Sequence, residues 1–88
     1  MNPLSDLRNE VDRLDEALID ILGQRFRVTQ EIGKLKKANS LPPVDAEREK
    51  RQVERIKGLA RKAGVKDEVA LKVLRVIIDE VVHEHQTI

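Results

Sequence analysis

The chain has 88 residues, with 17 basic and 16 acidic side chains, no cysteine, and one Phe as its only aromatic residue. That bounds it to one domain, residues 1–88, with too little buried surface to be comfortably stable alone. It also excludes disulfides and thiolate metal sites. The charges are interleaved, without the basic stripe or stacking aromatics of a nucleic-acid binder, and no uninterrupted apolar run exceeds four residues, so no membrane partner is expected. The N-terminus lacks a basic segment followed by an apolar one, which makes a cytoplasmic location the default. Oligomerisation is the common remedy left to so small a chain.

Asn2-Pro3 opens the first segment as an N-cap followed by the residue favoured at the first helical position. Apolar residues then recur at Leu4, Leu7, Val11, Leu14, Leu18, Ile21, Val28, Ile32 and Leu35, a heptad stripe broken only by Arg25. Asn39-Ser40-Leu41-Pro42-Pro43 ends it in a loop. A second helix is predicted from the N-cap candidate Asp45, with a stripe of Ala46, Val53, Ile56, Ala60 and Ala63, a polar break at Glu49 and a stop at Gly64. A third starts near Asp67, carries Ala70, Leu74, Ile77 and Val81, and continues its seam into Glu84 and His85. The fold class is therefore all-α, three helices with a very long first one.

A first helix over residues 3 to 38 is about 54 Å long at 1.5 Å per residue, whereas a compact globule of this size is about 30 Å across. Its own chain cannot cover such a stripe. An antiparallel or domain-swapped homodimer covers it, with a simple extended coiled coil as the rival.

The seam charges carry the functional signal. A buried unpaired guanidinium is very costly, so Arg25 requires an anion, and an ion pair with Glu49 would be sufficient for a lone charge. Lys36, however, lies eleven residues on, within roughly 20° of the same face and about 16 Å away. Both reach one pocket, and Arg48 joins beside Glu49. Three cations and one carboxylate exceed internal pairing and fit a small dianion. Arg8 points roughly 100° away from Arg25 and lies about 26 Å along the axis. It reaches only a partner's pocket, or else pairs with Asp12 on a solvated face.

Leu7-Arg8, Asp12, Leu14-Asp15, Arg25, Gly33-x-x-Lys36 and Pro43-Val44-Asp45-x-x-Arg48-Glu49 together resemble the AroQ class of chorismate mutases over nearly the whole chain. The resemblance implies an intertwined dimer through the first helix, and the conversion of chorismate to prephenate in aromatic amino-acid biosynthesis. It casts Arg25 and Arg48 at the substrate's carboxylates, and Arg8 as donated across the dimer. Lys36 is cast as donor to the ether oxygen and a carboxylate, Glu49 as acceptor of the ring hydroxyl, and Asp45 as meeting that hydroxyl through its backbone N–H. The family's Ser and Gln on the third helix align with Val81 and His85, and Gln86 lies one step beyond. Either His85 is the ether-oxygen donor, or a register shift brings Gln86 to it. An imidazole donates only when protonated or in the right tautomer, so activity would then vary around neutral pH. The implied reaction needs no cofactor, metal, nucleophile or general base, and His83 and His85, two apart on a helix, form no ready metal pair. Related enzymes of this fold, a 4-amino-4-deoxychorismate mutase or an isochorismate-pyruvate lyase, would use the same cationic pocket. A mutase needing a shikimate-pathway partner enzyme and a non-catalytic helical regulatory dimer are the further alternatives.

Overall fold

A computed structural model of the protein describes residues 2–87, except for the side chain of Thr87. It contains three helices, α1 (Pro3–Ala38), α2 (Ala46–Ala63) and α3 (Asp67–Thr87), and no strand among the described residues. Each boundary has a local cause. The Asn2 side chain accepts from the amides of Leu4 and Ser5 at 3.0 and 3.4 Å, and Pro3 follows at the first helical position. Asp45 caps α2 by accepting from the Arg48 amide at 3.0 Å.

Both α1 and α2 end in a left-handed residue with the paired backbone bonds of a Schellman stop. After α1 the residue is Ser40 (φ 56°), with Ser40 N–H donating to Lys37 O and Leu41 N–H to Lys36 O. After α2 it is Gly64 (φ 73°), with Gly64 N–H donating to Arg61 O and Val65 N–H to Ala60 O. The second stop is reinforced by the Arg61–Asp67 ion pair at 3.0 Å, which staples the turn into α3. A Cβ at residue 64 meets no neighbouring atom, so the cost of Gly64→Ala is purely that of left-handed backbone. We expect about 1 kcal/mol of lost stability, read as a lower urea midpoint at unchanged slope.

α3 packs against both α2 and α1, whereas α1 and α2 make no extended contact with each other. This arrangement explains a departure from the expected seam. The periodicity singles out Ile77, yet the buried residues of α3 are Leu74 and Ile78. A helix with neighbours on two sides buries two flanks: Ile77 faces the α2 side, and Ile78 the cavity shared with α1. Ala46 and Ala63, on the expected α2 stripe, are the first and last residues of the helix and are exposed, whereas Ala60, about one turn in from its end, is buried.

The molecule measures 58 × 24 × 15 Å with a radius of gyration of 16.4 Å. A compact chain of 88 residues would have about 12 Å. Its core is correspondingly thin, with Ala60, Leu74 and Ile78 the buried hydrophobic residues among those described. The α1 stripe stands in solvent: Leu14 is 63% and Leu18 60% exposed, and Leu4, Leu7, Val11, Ile21, Val28, Ile32 and Leu35 are exposed too. No described helix is long and apolar enough to cross a membrane.

Candidate functional site

A cavity of about 520 Å³ opens where the three helices converge. The C-terminal half of α1 supplies Arg25, Thr29 and Lys36; the first turns of α2 supply Asp45, Arg48, Glu49 and Gln52; and α3 supplies Ile78, Val81 and His85. The volume lies in the ordinary range for small-molecule sites. Helical spacing explains the convergence. Arg25, Thr29 and Lys36 share one face of α1 at i, i+4 and i+11, and Arg48, Glu49 and Gln52 form a neighbouring cluster one turn deep in α2.

The charges of the cavity are held apart. Arg25, Lys36 and Arg48 face Asp45 and Glu49, and none of these five residues makes an ion pair among the described residues. The Arg25–Glu49 pair that would have explained the seam charges internally is thus not formed. The Asp45 carboxylate is occupied as the α2 cap. Arg25 is half-buried, and its Nη1 is buried without a hydrogen-bond partner. A buried charged donor left unmatched is expensive. The N-terminus of α2 adds its own partial positive charge to the same wall.

Lys36 is anchored at both ends. Its ammonium donates to Pro43 O at 3.2 Å, and its carbonyl accepts from the Leu41 amide at 2.7 Å, so the α1–α2 loop folds back over its side chain. On the opposite wall, His85 Nε2 lies 2.8 Å from Thr29 O. A carbonyl only accepts, so Nε2 carries the proton. His85 Nδ1 is buried and has no partner.

Seven of the residues singled out by sequence therefore line one cavity: Arg25, Lys36, Asp45, Arg48, Glu49, Val81 and His85. Gln86 does not. It is exposed and outside the lining, and the Gly64–Lys66 turn introduces no register shift to bring it in. Arg8 is exposed near the far end of α1, outside its own chain's cavity, and forms no ion pair with Asp12. Thr29 and Gln52 were missed by the sequence reading. Their spacing, four residues after Arg25 and four after Arg48, was the available signal.

A second groove of about 560 Å³ runs between α2 and α3, lined by Ile56, Leu59, Ala60, Val69, Val73 and Leu74, with Arg25, Arg48, Gln52 and Arg55 also contributing. Arg25, Arg48 and Gln52 thus belong to both concavities.

Residues 7–86 match the model of the family described as chorismate mutase type II. The chain is 36% identical over 75 residues to the T-protein of Haemophilus influenzae, covering 85% of this chain and 20% of that protein. It is 24% identical over 76 residues to the chorismate mutase of Methanocaldococcus jannaschii, covering 86% of this chain and 77% of that one. It is 30% identical over 87 residues to the bifunctional chorismate mutase/prephenate dehydratase of Escherichia coli (strain K12), covering 99% of this chain and 22% of that protein. The chain thus spans only about a fifth of the T-protein and of the bifunctional enzyme.

Proposed function

The chain belongs to the chorismate mutase type II family, and from that premise we propose that residues 1–88 are one catalytic domain that rearranges chorismate to prephenate in the cavity between its three helices. The observation that carries this reading is the set of three unpaired cations, Arg25, Lys36 and Arg48, around one cavity of small-molecule size. Such a site fits a small dicarboxylate far better than a scaffold's interior, which gains nothing from charge on its seam.

In this reading Arg25 and Arg48 hold the two carboxylates and fold the flexible substrate into its compact reactive conformer, which is catalysis by proximity. Lys36 donates to the ether oxygen, where negative charge grows as the C–O bond breaks. Glu49 accepts from the ring hydroxyl, and the Asp45 backbone N–H donates to that hydroxyl. Val81 supplies apolar wall, and His85, rather than the exposed Gln86, is the polar group of α3 in the cavity. The rearrangement is concerted within one molecule and proceeds without cofactor, nucleophile or general base.

The working unit is a homodimer. The bare stripe of α1 and the open apolar groove between α2 and α3 support this, since one chain thereby carries an uncovered ridge and an unfilled groove. Arg8 lies at the opposite end of α1 from its own cavity, so in an antiparallel pair it enters the partner's site as a further cation.

The test is the loss of chorismate absorbance with purified protein, with prephenate identified as product. Parallel runs on 4-amino-4-deoxychorismate and isochorismate address the two analogues whose ring donor Glu49 would also accept. Turnover of chorismate to prephenate is expected. A helical dimer inert toward chorismate but active on an analogue would move the assignment to that analogue, and activity appearing only on adding a shikimate-pathway enzyme would make the chain a partner-dependent mutase.

A further inference from the structure

Beside the acids and the three cations, Thr29, Gln52 and His85 bring hydrogen-bonding side chains to the cavity. Thr29 spends its hydroxyl proton on Phe26 O at 3.1 Å, and the His85 Nε2 proton goes to Thr29 O at 2.8 Å. Gln52 makes no hydrogen bond among the described residues, so both its N–H donors are uncommitted. It is half-buried, yet neither its Oε1 nor its Nε2 is sealed from solvent. Its amide is therefore within reach of a bound molecule.

The helical register makes an amide at this place a costly choice. Gln52 lies one turn after Arg48 and one turn before Ile56, with Ala60 a turn further on, all on one side of α2. Ile56 is half-buried and Ala60 buried. An apolar residue would simply extend that inward face, whereas an amide there has to be solvated or matched. Arg25, Arg48 and Gln52 border both the cavity and the apolar groove, which puts the amide at the same end of the cavity as the two guanidiniums. Lys36, held under the α1–α2 loop through Pro43 O, borders the cavity but not that groove. A primary amide carries an acceptor on one branch and two donors on the other. The acceptor suits a guanidinium, and the donors suit an anion that the guanidinium attracts.

From this placement we infer that Gln52 is a further ligand-binding residue, whose Nε2 donates to one of the two carboxylates held by Arg25 and Arg48. The inference rests on the proposed reading of the cavity as a dicarboxylate site. It makes the two carboxylates unequal: one meets cations alone, the other a cation and a neutral donor of fixed direction. A carboxylate remote from the breaking bond keeps its charge through the rearrangement. Gln52 therefore holds ground state and transition state alike, and its loss raises KM while leaving kcat.

The experiment compares the intact protein with Gln52→Met and Gln52→Glu. Met keeps the length and helix propensity of Gln and extends the apolar face of Ile56 and Ala60, so the variant folds. Each protein is titrated calorimetrically with a bicyclic dicarboxylate mimic of the transition state, and with two analogues of it that each lack one carboxylate. Chorismate turnover is measured on the same samples. Gln52→Met is expected to raise KM, and the dissociation constant of the mimic, by about tenfold or more, the worth of a hydrogen bond to a charged group. The value of kcat should stay within about threefold. The penalty on binding should vanish for the one analogue lacking the contacted carboxylate and persist for the other. Gln52→Glu sets a negative charge against the ligand and is expected to weaken binding by more than about 100-fold. A merely structural Gln52 would weaken all three ligands alike, and that result overturns the contact. Gln52→Met with unchanged KM and binding, or Gln52→Glu binding as well as the unmutated protein, overturns it too and leaves the dicarboxylate site standing. An unmutated protein that neither binds the mimic nor turns over chorismate overturns the site itself, and the role of Gln52 with it.

Discussion

Replacing Lys36 by Ala is expected to lower kcat by about 100-fold or more. A preorganised donor aimed at developing negative charge is commonly worth roughly 3–4 kcal/mol of barrier, and each 1.36 kcal/mol is about tenfold in rate. Lys36 meets the requirement of preorganisation. One of its three ammonium protons is committed to Pro43 O at 3.2 Å, which holds a flexible four-carbon stem in place. Two donors remain for an anion. The same substitution releases the loop contact, at about 1–2 kcal/mol of folding stability, so circular dichroism of the variant must accompany the kinetics. A folded, dimeric Lys36→Ala that keeps more than half of its activity would remove Lys36 from the chemistry.

Leu14→Glu is expected to separate the chains and abolish turnover together. Leu14 lies in the middle of the bare α1 stripe at 63% exposure, so the substitution is nearly free for an isolated chain. In a two-fold interface it is felt twice. Each copy loses about 1.5–3 kcal/mol of apolar burial and places a carboxylate against an apolar surface. Dimer dissociation should weaken by at least roughly 100-fold, since about 2.7 kcal/mol is enough for that. Sedimentation equilibrium reads the assembly, and the chorismate assay on the same sample reads the activity. A Leu14→Glu protein that stays dimeric and active would show that α1 is not the interface and that Arg8 does not complete the partner's site.

The two outcomes also separate the roles of the long helix. Its N-terminal half, from Leu4 to Leu18, is bare ridge, and its C-terminal half, from Arg25 to Lys36, is cavity wall. Lys36→Ala should leave assembly intact, whereas Leu14→Glu should leave the cavity's own residues in place and yet silence them.

Much of this was legible in the residue order because the chain is helical and its information is local. Asn2-Pro3, Asp45 and Gly64 mark helix ends through backbone hydrogen bonds that close within a few residues, and each boundary falls where those residues place it. The same periodicity put Arg25 and Lys36 on one face, and Arg48 and Glu49 side by side. Since a rigid helix preserves angular relations over many turns, sequence spacing alone was enough to set Arg25 with Lys36 on α1 and Arg48 beside Glu49 on α2.

What the sequence left open concerned relations between helices, which no spacing encodes. Whether His85 or Gln86 faces the cavity depends on the rotation of α3 after the Gly64–Lys66 turn. Packing on two sides decided it by burying Leu74 and Ile78 and turning His85 toward Thr29. Whether Arg25 is spent on Glu49 was likewise a matter of distance between α1 and α2, which scarcely touch, so the two charges remain apart across the cavity. The amino-acid order determined the helices, their ends and the faces they present, because those follow from hydrogen bonds and angles within one helix. Only the tertiary structure decided which faces meet and which charges stay unmatched, because that depends on how side chains of three separate helices fill a shared space.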